Sequence, residues 1–451
     1  MKRIILCCLL VAGALPLRSQ NMWKYFTPDD FAKRRAAVMD SIGDGVAIFL
    51  GAELPEAYVK FRQDNNFYYL SGVETPDALL IIDGNDRTSR LIVPEYTPGD
   101  IKDEARIEVG TEAATLYKVD KVSSKSNLSA ILDQTLAGER SVYLYMGPEE
   151  VAGMSPDRSK MLRSKRLNDP WDGRIPRETN FANILKNRYP MTTVKDISPV
   201  LHVMRWVKDA KEIAVLRECG KIGALGFNEA MKVTRPGLYE YQAVAACDFY
   251  YQYNGAQNPA FYAIAASGER GLSWHYNANN HPMKSGDVVL LDYAPDLNYY
   301  TTDITRTWPV NATFTGDQLK MYACIAEYRE KAIALLKPGV TYADLVAIGQ
   351  EIYSKHGYDT LWPNYAGHFV GMAVHDVGPK NRAFVPGVVF NLEPIIEDKT
   401  KKIHFRLEDT IVITEGGAEV LTGLTPVDPK EIEAMIAQPG IFETPASTDR
   451  Q

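Results

Sequence analysis

Short apolar stretches alternate with turn-forming residues from about residue 27 to residue 196. Apolar runs bounded by turn residues indicate strands, and apolar residues three and four apart indicate helices. The pattern predicts strands over residues 46–50, 78–82, 91–93 and 141–146, and helices over residues 30–39 and 128–135. We therefore predict an N-terminal α/β domain.

The pattern changes in the middle of the chain. Residues 155–179 are charged and contain three prolines, which predicts a linker or excursion. Asp196-Ile-Ser-Pro199 predicts a hinge, and residues 201–231 predict one long helix that precedes longer strands with single acids. We divide the chain into residues 1–19 (a signal peptide), 20–196 (the N-terminal domain), 197–440 (a second domain) and 441–451 (a tail).

The second domain contains an internal similarity. Arg235-Pro-Gly-Leu-Tyr-Glu240 resembles Lys337-Pro-Gly-Val-Thr-Tyr342, and each follows one helical pattern and precedes another. Two copies 102 positions apart predict two related halves. A chance match is the alternative, since Pro-Gly turns are common.

The first 19 residues have the features of a secretory signal. A basic start, Lys2-Arg3, precedes a short apolar run that is too short to span a bilayer comfortably. We expect its removal and a periplasmic or secreted protein; an uncleaved anchor is the alternative. Without this segment, 47 basic residues face 57 acidic ones, a net charge of −10. This acidic balance argues against nucleic acid or anionic lipid as a partner.

Three cysteines remain after the signal, at positions 219, 247 and 324. Their odd number and wide separation predict no disulfide framework and no zinc site. We expect them to be small core residues.

Two predicted hairpins each carry two acids. Asp292 ends the apolar run Val288-Val-Leu-Leu-Asp292, and a turn at Leu297-Asn298 would place it opposite Asp303. A turn at Thr400-Lys401 would likewise place Glu393 opposite Glu408. Opposed residues have Cβ atoms about 4.5–5.5 Å apart, so these carboxylates would repel each other unless a cation lay between them.

One histidine completes this predicted site. His368 lies between small residues in Gly367-His-Phe-Val-Gly371. Four carboxylates and one imidazole form an oxygen-rich set that suits manganese first, with cobalt, zinc or iron as alternatives. Four negative charges require two divalent ions, and a hydroxide that bridges such a pair is a nucleophile near neutral pH.

These residues lie in motifs that resemble those of the pita-bread metallopeptidases, and within them aminopeptidase P and prolidase. The motifs of the second domain are Leu291-Asp-Tyr-Ala, Thr302-Asp-Ile-Thr-Arg-Thr-Trp-Pro309, Gly367-His-Phe-Val-Gly, Val374-His-Asp, Leu392-Glu-Pro and Arg406-Leu-Glu-Asp409. The likeness covers residues 200–435, and Phe61-Arg-Gln-Asp-Asn-Asn-Phe-Tyr-Tyr-Leu-Ser-Gly72 is similar to the N-terminal domain of those enzymes. The resemblance implies an α+β protein: an N-terminal α/β domain, then a pseudo-twofold pita-bread catalytic domain.

The resemblance also implies a role for each site residue. Asp292 would chelate one metal, Asp303 and Glu408 would bridge, and His368 would bind the other ion. Glu393 would bind metal and also transfer a proton. His275 and His375 match histidines that contact the scissile unit, although either could be structural. Arg406 matches an arginine that shapes the proline or carboxylate end of the substrate, or it pairs with a ligand carboxylate.

One position departs from the family pattern. Aminopeptidases P and prolidases usually carry another histidine four residues before the ligand histidine, where this chain has Asn364. Asparagine cannot take up a proton near neutral pH. The change leaves the metal ligands intact but puts the turnover rate and the strictness of proline selection in doubt.

The site residues and the resemblance together imply a metal-dependent exopeptidase of the Xaa-Pro aminopeptidase type. A metal-bridging hydroxide would hydrolyse peptides that have proline in the second position. A prolidase acting on dipeptides is the nearest alternative, and an inactive peptide-binding protein of the same fold is another. No Gly-x-Ser-x-Gly elbow is present, which disfavours a serine hydrolase. The resemblance also implies a homodimer.

Overall fold

The computed structural model describes residues 24–56, 58–95, 107–151 and 155–442. The predicted signal, residues 1–19, lies outside these ranges, as do residues 443–451 of the predicted tail. No helix in the described ranges is long and apolar enough to cross a membrane.

The N-terminal domain is a mixed α/β unit, as the apolar pattern predicts. Its elements, in chain order, are α1 (Pro28–Ile42), β1 (Val46–Leu50), α2 (Asn65–Ser71), β2 (Leu79–Asp83), β3 (Thr88–Val93), α3 (Thr111–Tyr117), β4 (Lys121–Ser124), α4 (Leu128–Thr135), β5 (Ser141–Leu144), α5 (Pro156–Leu167), α6 (Arg177–Arg188) and β6 (Thr193–Asp196). Six strands form one sheet in the order β4-β3-β2-β1-β5-β6. The prediction of a linker over residues 155–179 is wrong in part, because α5 and the start of α6 occupy it.

The second domain begins with helices and contains a large antiparallel sheet. Its elements are α7 (Ser198–Trp206), α8 (Ala210–Val233), α9 (Glu240–Tyr253), β7 (Asn258–Pro259), β8 (Ile264–Ser267), β9 (Val288–Asp292), β10 (Pro295–Leu297), β11 (Tyr300–Thr301), β12 (Ile304–Pro309), α10 (Gly316–Leu335), α11 (Tyr342–Lys355), β13 (Gly367–Phe369), β14 (Val389–Leu392), β15 (Ile395–Asp398), β16 (Ile403–Arg406), β17 (Glu408–Thr414), β18 (Gly417–Val420) and α12 (Pro429–Ile436). The sheet runs β13-β14-β17-β12-β9-β8, and β18 pairs with β17.

The predicted long helix over residues 201–231 is two helices, α7 and α8. Asp209 separates them, because its side chain accepts hydrogen bonds from the backbone amides of Lys211 and Glu212 and forms a capping box with Glu212. Such a residue starts a new helix and does not continue an old one.

The two Pro-Gly segments occupy equivalent positions, which agrees with a pseudo-twofold domain. Each joins two helices, α8 to α9 and α10 to α11. Gly237 and Gly339 have φ values of 91° and 96°, which a side chain would strain. Each donates its amide to a backbone carbonyl of its own half, that of Met283 or Phe384.

The predicted register of the first hairpin is wrong, because the turn lies one position later in the chain than predicted. The turn is centred on Asn298-Tyr299, so β10 pairs Leu297 with Tyr300, and Asp292 lies opposite Thr305 instead of Asp303. Asn298 and Tyr299 both have positive φ, as a tight two-residue hairpin turn requires. Asp303 and Thr305 are two residues apart, so the predicted face is retained.

The second predicted register is correct. Ile395 pairs with Arg406 and Asp398 with Ile403, which centres the turn on Thr400-Lys401. Strands β14 and β17 continue the same register, with Leu392 opposite Asp409.

Candidate active site

Three adjacent strands of the large sheet bring two of the acids into one row. Thr305 of β12 pairs with Asp292 of β9 on one side and with Glu408 of β17 on the other. Paired residues of antiparallel strands point to the same face of the sheet, so the two carboxylates flank the threonine.

The other ligands reach the same face from strand ends. Glu393 directly follows β14, two residues after Asn391, and Asn391 pairs with His368 of β13. Asp303 precedes β12. Alternation along each strand places all these side chains on the face that carries Glu408.

The structure brings the five predicted metal ligands together. Oxygens of Asp292, Asp303 and Glu408 lie within 4.8 Å of one another, and ligand atoms of His368, Glu393 and Glu408 form a second group of this kind. All five residues are buried, and none is more than 6% exposed.

Burial and crowding disfavour the ionised form of these acids. Desolvation and then the charge of Glu408 raise the pKa of Asp292 to about 7, although Arg406 opposes the shift. Desolvation, with Glu408 and Asp292 nearby, also raises the pKa of Asp303 well above its ordinary value. The Oδ1 atoms of both aspartates are buried and have no hydrogen-bond partner. Buried carboxylate oxygens without donors need cations.

His368 is oriented as a ligand. Its Nδ1 donates to the carbonyl of Phe369 at 3.1 Å, which leaves Nε2 facing the acids. Nε2 lies 3.4 Å from Asp303 Oδ2, 3.6 Å from Glu408 Oε1 and 3.9 Å from Glu393 Oε2. Burial opposes protonation, but hydrogen bonds to Asp303 and Glu408 outweigh it and raise the pKa of His368.

The residues therefore fit two divalent cations. Glu408 belongs to both of these ligand groups, so its carboxylate could be shared between two ions, and a third group joins Asp303 and His368 to His375. The set of oxygens with a single imidazole suits hard or borderline divalent ions.

Two polar residues that sequence reasoning missed hold Glu408. The side-chain amide of Asn391 donates to Glu408 Oε1, and the hydroxyl of Thr305 donates to Oε2. Thr410 connects Asn391 to Asp303, because its hydroxyl contacts Asn391 Oδ1 at 3.0 Å and accepts from the Asp303 amide at 2.8 Å. A sequence signal for them was present. Asn391, Thr305 and Thr410 each lie two positions from a predicted ligand, so each faces the same side as that ligand.

Arg406 is buried and pairs with ligand carboxylates. Its Nη1 donates to Asp292 Oδ2 at 2.5 Å, and its Nε lies 3.5 Å from Glu393 Oε1. Of the two predicted roles, substrate shaping or pairing with a ligand, the geometry favours pairing.

The two predicted substrate histidines lie at the edge of this cluster. The ring of His375 packs against that of His368, with centroids 4.0 Å apart. His275 is exposed, and Arg158 Nη2 lies 2.7 Å from its Nδ1. Desolvation, followed by the charge of Arg158, lowers the pKa of His275 to about 4, so the ring is neutral at pH 7.

Residues of the N-terminal domain that sequence reasoning missed contact both histidines. Besides Arg158, Asp157 accepts a hydrogen bond from His375 Nδ1 at 2.9 Å. Both lie in the segment predicted to be a linker.

Asn364 is exposed and lies before β13. Its φ is 55°, in the left-handed region that asparagine tolerates better than most residues.

Comparison with known families identifies both domains. Residues 214–415 match the family described as metallopeptidase family M24, and residues 31–145 match the N-terminal domain of aminopeptidase P.

Individual relatives match almost the whole chain. The Xaa-Pro aminopeptidase of Escherichia coli is 30% identical over 447 residues, which cover 90% of this chain and 97% of that enzyme. The mitochondrial intermediate cleaving peptidase 55 of Arabidopsis thaliana is 28% identical, covering 83% of this chain and 75% of its own. The structure of zinc-substituted E. coli aminopeptidase P in complex with product superposes with a TM-score of 0.76 at 28% identity, covering 91% of this chain and 98% of that one.

Proposed function

Because this chain belongs to metallopeptidase family M24, we propose that it is a metal-dependent Xaa-Pro aminopeptidase, which removes the N-terminal residue from peptides with proline in the second position. The observation that carries this function is the buried cluster of four carboxylates and one imidazole on the sheet. The nearly full-length match to an Xaa-Pro aminopeptidase supports the choice of substrate.

The reaction needs an activated water and a protonated leaving group. Two divalent cations, when bound, lower the pKa of water and polarise a carbonyl oxygen. Asp292, Asp303, His368, Glu393 and Glu408 would hold them, and Arg406 keeps Asp292 and Glu393 oriented.

Glu393 is placed to transfer the proton. Desolvation raises its pKa, although Arg406 and His368 oppose the shift, so the carboxyl group accepts a proton more readily than an exposed one. The leaving nitrogen belongs to a proline, and this tertiary amide nitrogen must gain a proton to depart. His275 and His375 border the cluster, where they would form hydrogen bonds with the substrate.

The test is hydrolysis of matched peptides. Purified protein is supplied with manganese, cobalt or zinc in turn and given Xaa-Pro-Yaa, Xaa-Pro and Xaa-Ala-Yaa. We expect release of the first residue from Xaa-Pro-Yaa and little from Xaa-Ala-Yaa. If only the dipeptide Xaa-Pro is hydrolysed, the protein is a dipeptidase. If peptides bind without turnover, it is a peptide-binding protein. Either result contradicts the proposal.

Manganese is the proposed metal. Its support is the donor set, because carboxylates outnumber imidazoles four to one among the five predicted ligands. The highest activity is expected with manganese in the same assay.

Location and assembly complete the proposal. The basic and apolar start of the chain supports export to the periplasm or the exterior. Family resemblance supports a homodimer. Cell fractionation and light scattering of the purified protein test the two statements separately.

A further inference from the structure

The first turn of α5 extends from the N-terminal domain to the histidines of the catalytic domain. Asp157 contacts His375, which lies 218 positions later in the chain, and Arg158 contacts His275, 117 positions later. The N-terminal domain therefore contributes side chains to the edge of the active site.

The carboxylate of Asp157 is held in one orientation. Its Oδ1 accepts hydrogen bonds from the hydroxyl of Ser155 at 2.6 Å and from the amide of Arg158 at 2.7 Å. Ser155 is itself buried. With Oδ1 occupied, Oδ2 is left to accept the hydrogen bond from His375 Nδ1 at 2.9 Å.

The backbone around His375 is also held. The next residue, Asp376, donates its amide to the carbonyl of Phe369 at 2.8 Å, and its carboxylate pairs with Arg205 and Lys208. The imidazole ring packs on that of His368. A neutral imidazole carries its proton on either Nδ1 or Nε2. A carboxylate that accepts from Nδ1 keeps the proton on that nitrogen.

We propose that Asp157 is a positioning residue for His375: it holds the proton on Nδ1 and orients the ring so that Nε2 faces the substrate. Among the described residues, Nε2 of His375 has no hydrogen-bond partner, so its lone pair is available to accept a hydrogen bond from an N–H group of the substrate. The assignment rests on the proposed function, and it makes catalysis depend on contact between the two domains. Because Asp157 is 59% exposed at its side chain, the pair contributes little to stability.

A double-mutant cycle on turnover tests the assignment. The variants are Asp157→Ala, His375→Ala and the double variant, each metal-loaded and assayed on Xaa-Pro-Yaa. Asp157→Ala is expected to lower kcat about 10- to 100-fold, as loss of an orienting partner does, with little change in KM. In the His375→Ala background the same change should have almost no effect, because the residue acts through that ring.

Two further measurements separate positioning from a general structural effect. Asp169→Ala removes an exposed acid from the same domain and should leave kcat unchanged. The imidazole ¹⁵N spectrum of the Asp157→Ala protein should show the signals of one histidine, His375, altered. Wild-type kcat in Asp157→Ala, or losses that multiply in the double variant, would overturn the assignment.

Failure of the proposed function has a different signature. In that case the wild-type protein does not cleave Xaa-Pro-Yaa, yet the imidazole spectrum still shows whether Asp157 holds His375. An unchanged spectrum overturns the pair whatever the substrate.

Discussion

Two clusters of buried charge lie close together in this molecule, and they differ in balance. At the domain interface, Arg205 and Lys208 face Glu150 and Asp376. Arg205 Nη2 lies 2.8 Å from Glu150 Oε2 and 2.5 Å from Asp376 Oδ1, and Lys208 Nζ lies 3.4 Å from Asp376 Oδ2. Two positive charges meet two negative ones, and at most 1% of each side chain is exposed.

At the active site the balance is absent. The guanidinium of Arg406 pairs with only two of the four carboxylates, those of Asp292 and Glu393, and two carboxylate oxygens have no partner. The pKa of Asp376 is lowered, because Arg205 and Lys208 outweigh its desolvation, whereas that of Asp292 is raised. A balanced buried cluster holds a fold together, and an unbalanced one identifies a site for cations.

The largest expected effect comes from removing one charge of the unbalanced cluster. Asp303→Asn should reduce kcat by at least about three orders of magnitude, the scale on which an essential group is lost. The metal-free variant should melt at a higher temperature than metal-free wild type, because the amide requires neither a buried repelling charge nor the uptake of a proton. Assays and melting curves are compared with Asp317→Asn, an exposed acid that should change neither. Unaltered turnover in the metal-loaded Asp303→Asn protein would contradict the site.

Breaking the balanced cluster should instead cost stability. Arg205→Met leaves Glu150 and Asp376 buried without their shared partner, a loss of about 3–5 kcal/mol. Urea unfolding measures it, with Arg217→Met as the exposed control. A loss no larger than the control's would mean that the network does not stabilise the interface.

The pH dependence of stability should have opposite signs in the two clusters. The carboxyl of Asp292 has a pKa of about 7 in the folded metal-free protein and about 3.9 when unfolded, so the folded state binds the extra proton between those values. The free energy of unfolding of metal-free protein should therefore fall as pH rises through this window, by about 1.4 kcal/mol per pH unit for one carboxyl. Asp376 contributes the reverse, with stability present above its unfolded pKa and lost as pH falls.

Bound metal should abolish this decrease in the free energy of unfolding, because the cations keep the carboxylates ionised. Urea midpoints of chelated and manganese-loaded protein, measured between about pH 4 and 7, check both statements. A metal-free protein that becomes more stable through this window would contradict the account.

The smallest effect should come from an exposed pair. Glu419 pairs with Arg217 at 2.7 Å, and both side chains are more than one third exposed. Glu419→Ala should change the free energy of unfolding by about 0.5 kcal/mol or less, because solvent screens the pair. A loss of stability comparable to that of Arg205→Met would show that burial does not distinguish strong ion pairs from weak ones.

Much of the active site was predictable because the acids interrupt apolar strands. Glu393 and Glu408 lie on a register that the charged turn at Thr400-Lys401 marks, and the structure has that register. The first hairpin was misplaced because its turn holds Tyr299 at positive φ, a conformation that tyrosine rarely adopts. Asp292 and Asp303 were still placed on the correct face, since the side-chain period of a strand is two.

The contribution of the N-terminal domain was not predictable in the same way. Ser155-Pro156-Asp157 is a helix-start signal, but the surrounding prolines and charges made a linker the simpler interpretation. Asp157 and His375 belong to different domains, and no local sequence pattern predicts a contact between residues so far apart in the chain. The break between α7 and α8 is a third kind of case, because the apolar spacing continues across the Asp209 cap.

Counting bound metal tests the central claim most directly. Manganese-loaded protein, dialysed against metal-free buffer and analysed by mass spectrometry of the element, should retain two ions per chain, and Asp303→Asn should retain at most one. Wild-type protein without bound metal, or an Asp303→Asn protein that still holds two ions, would contradict a two-cation site built on these carboxylates.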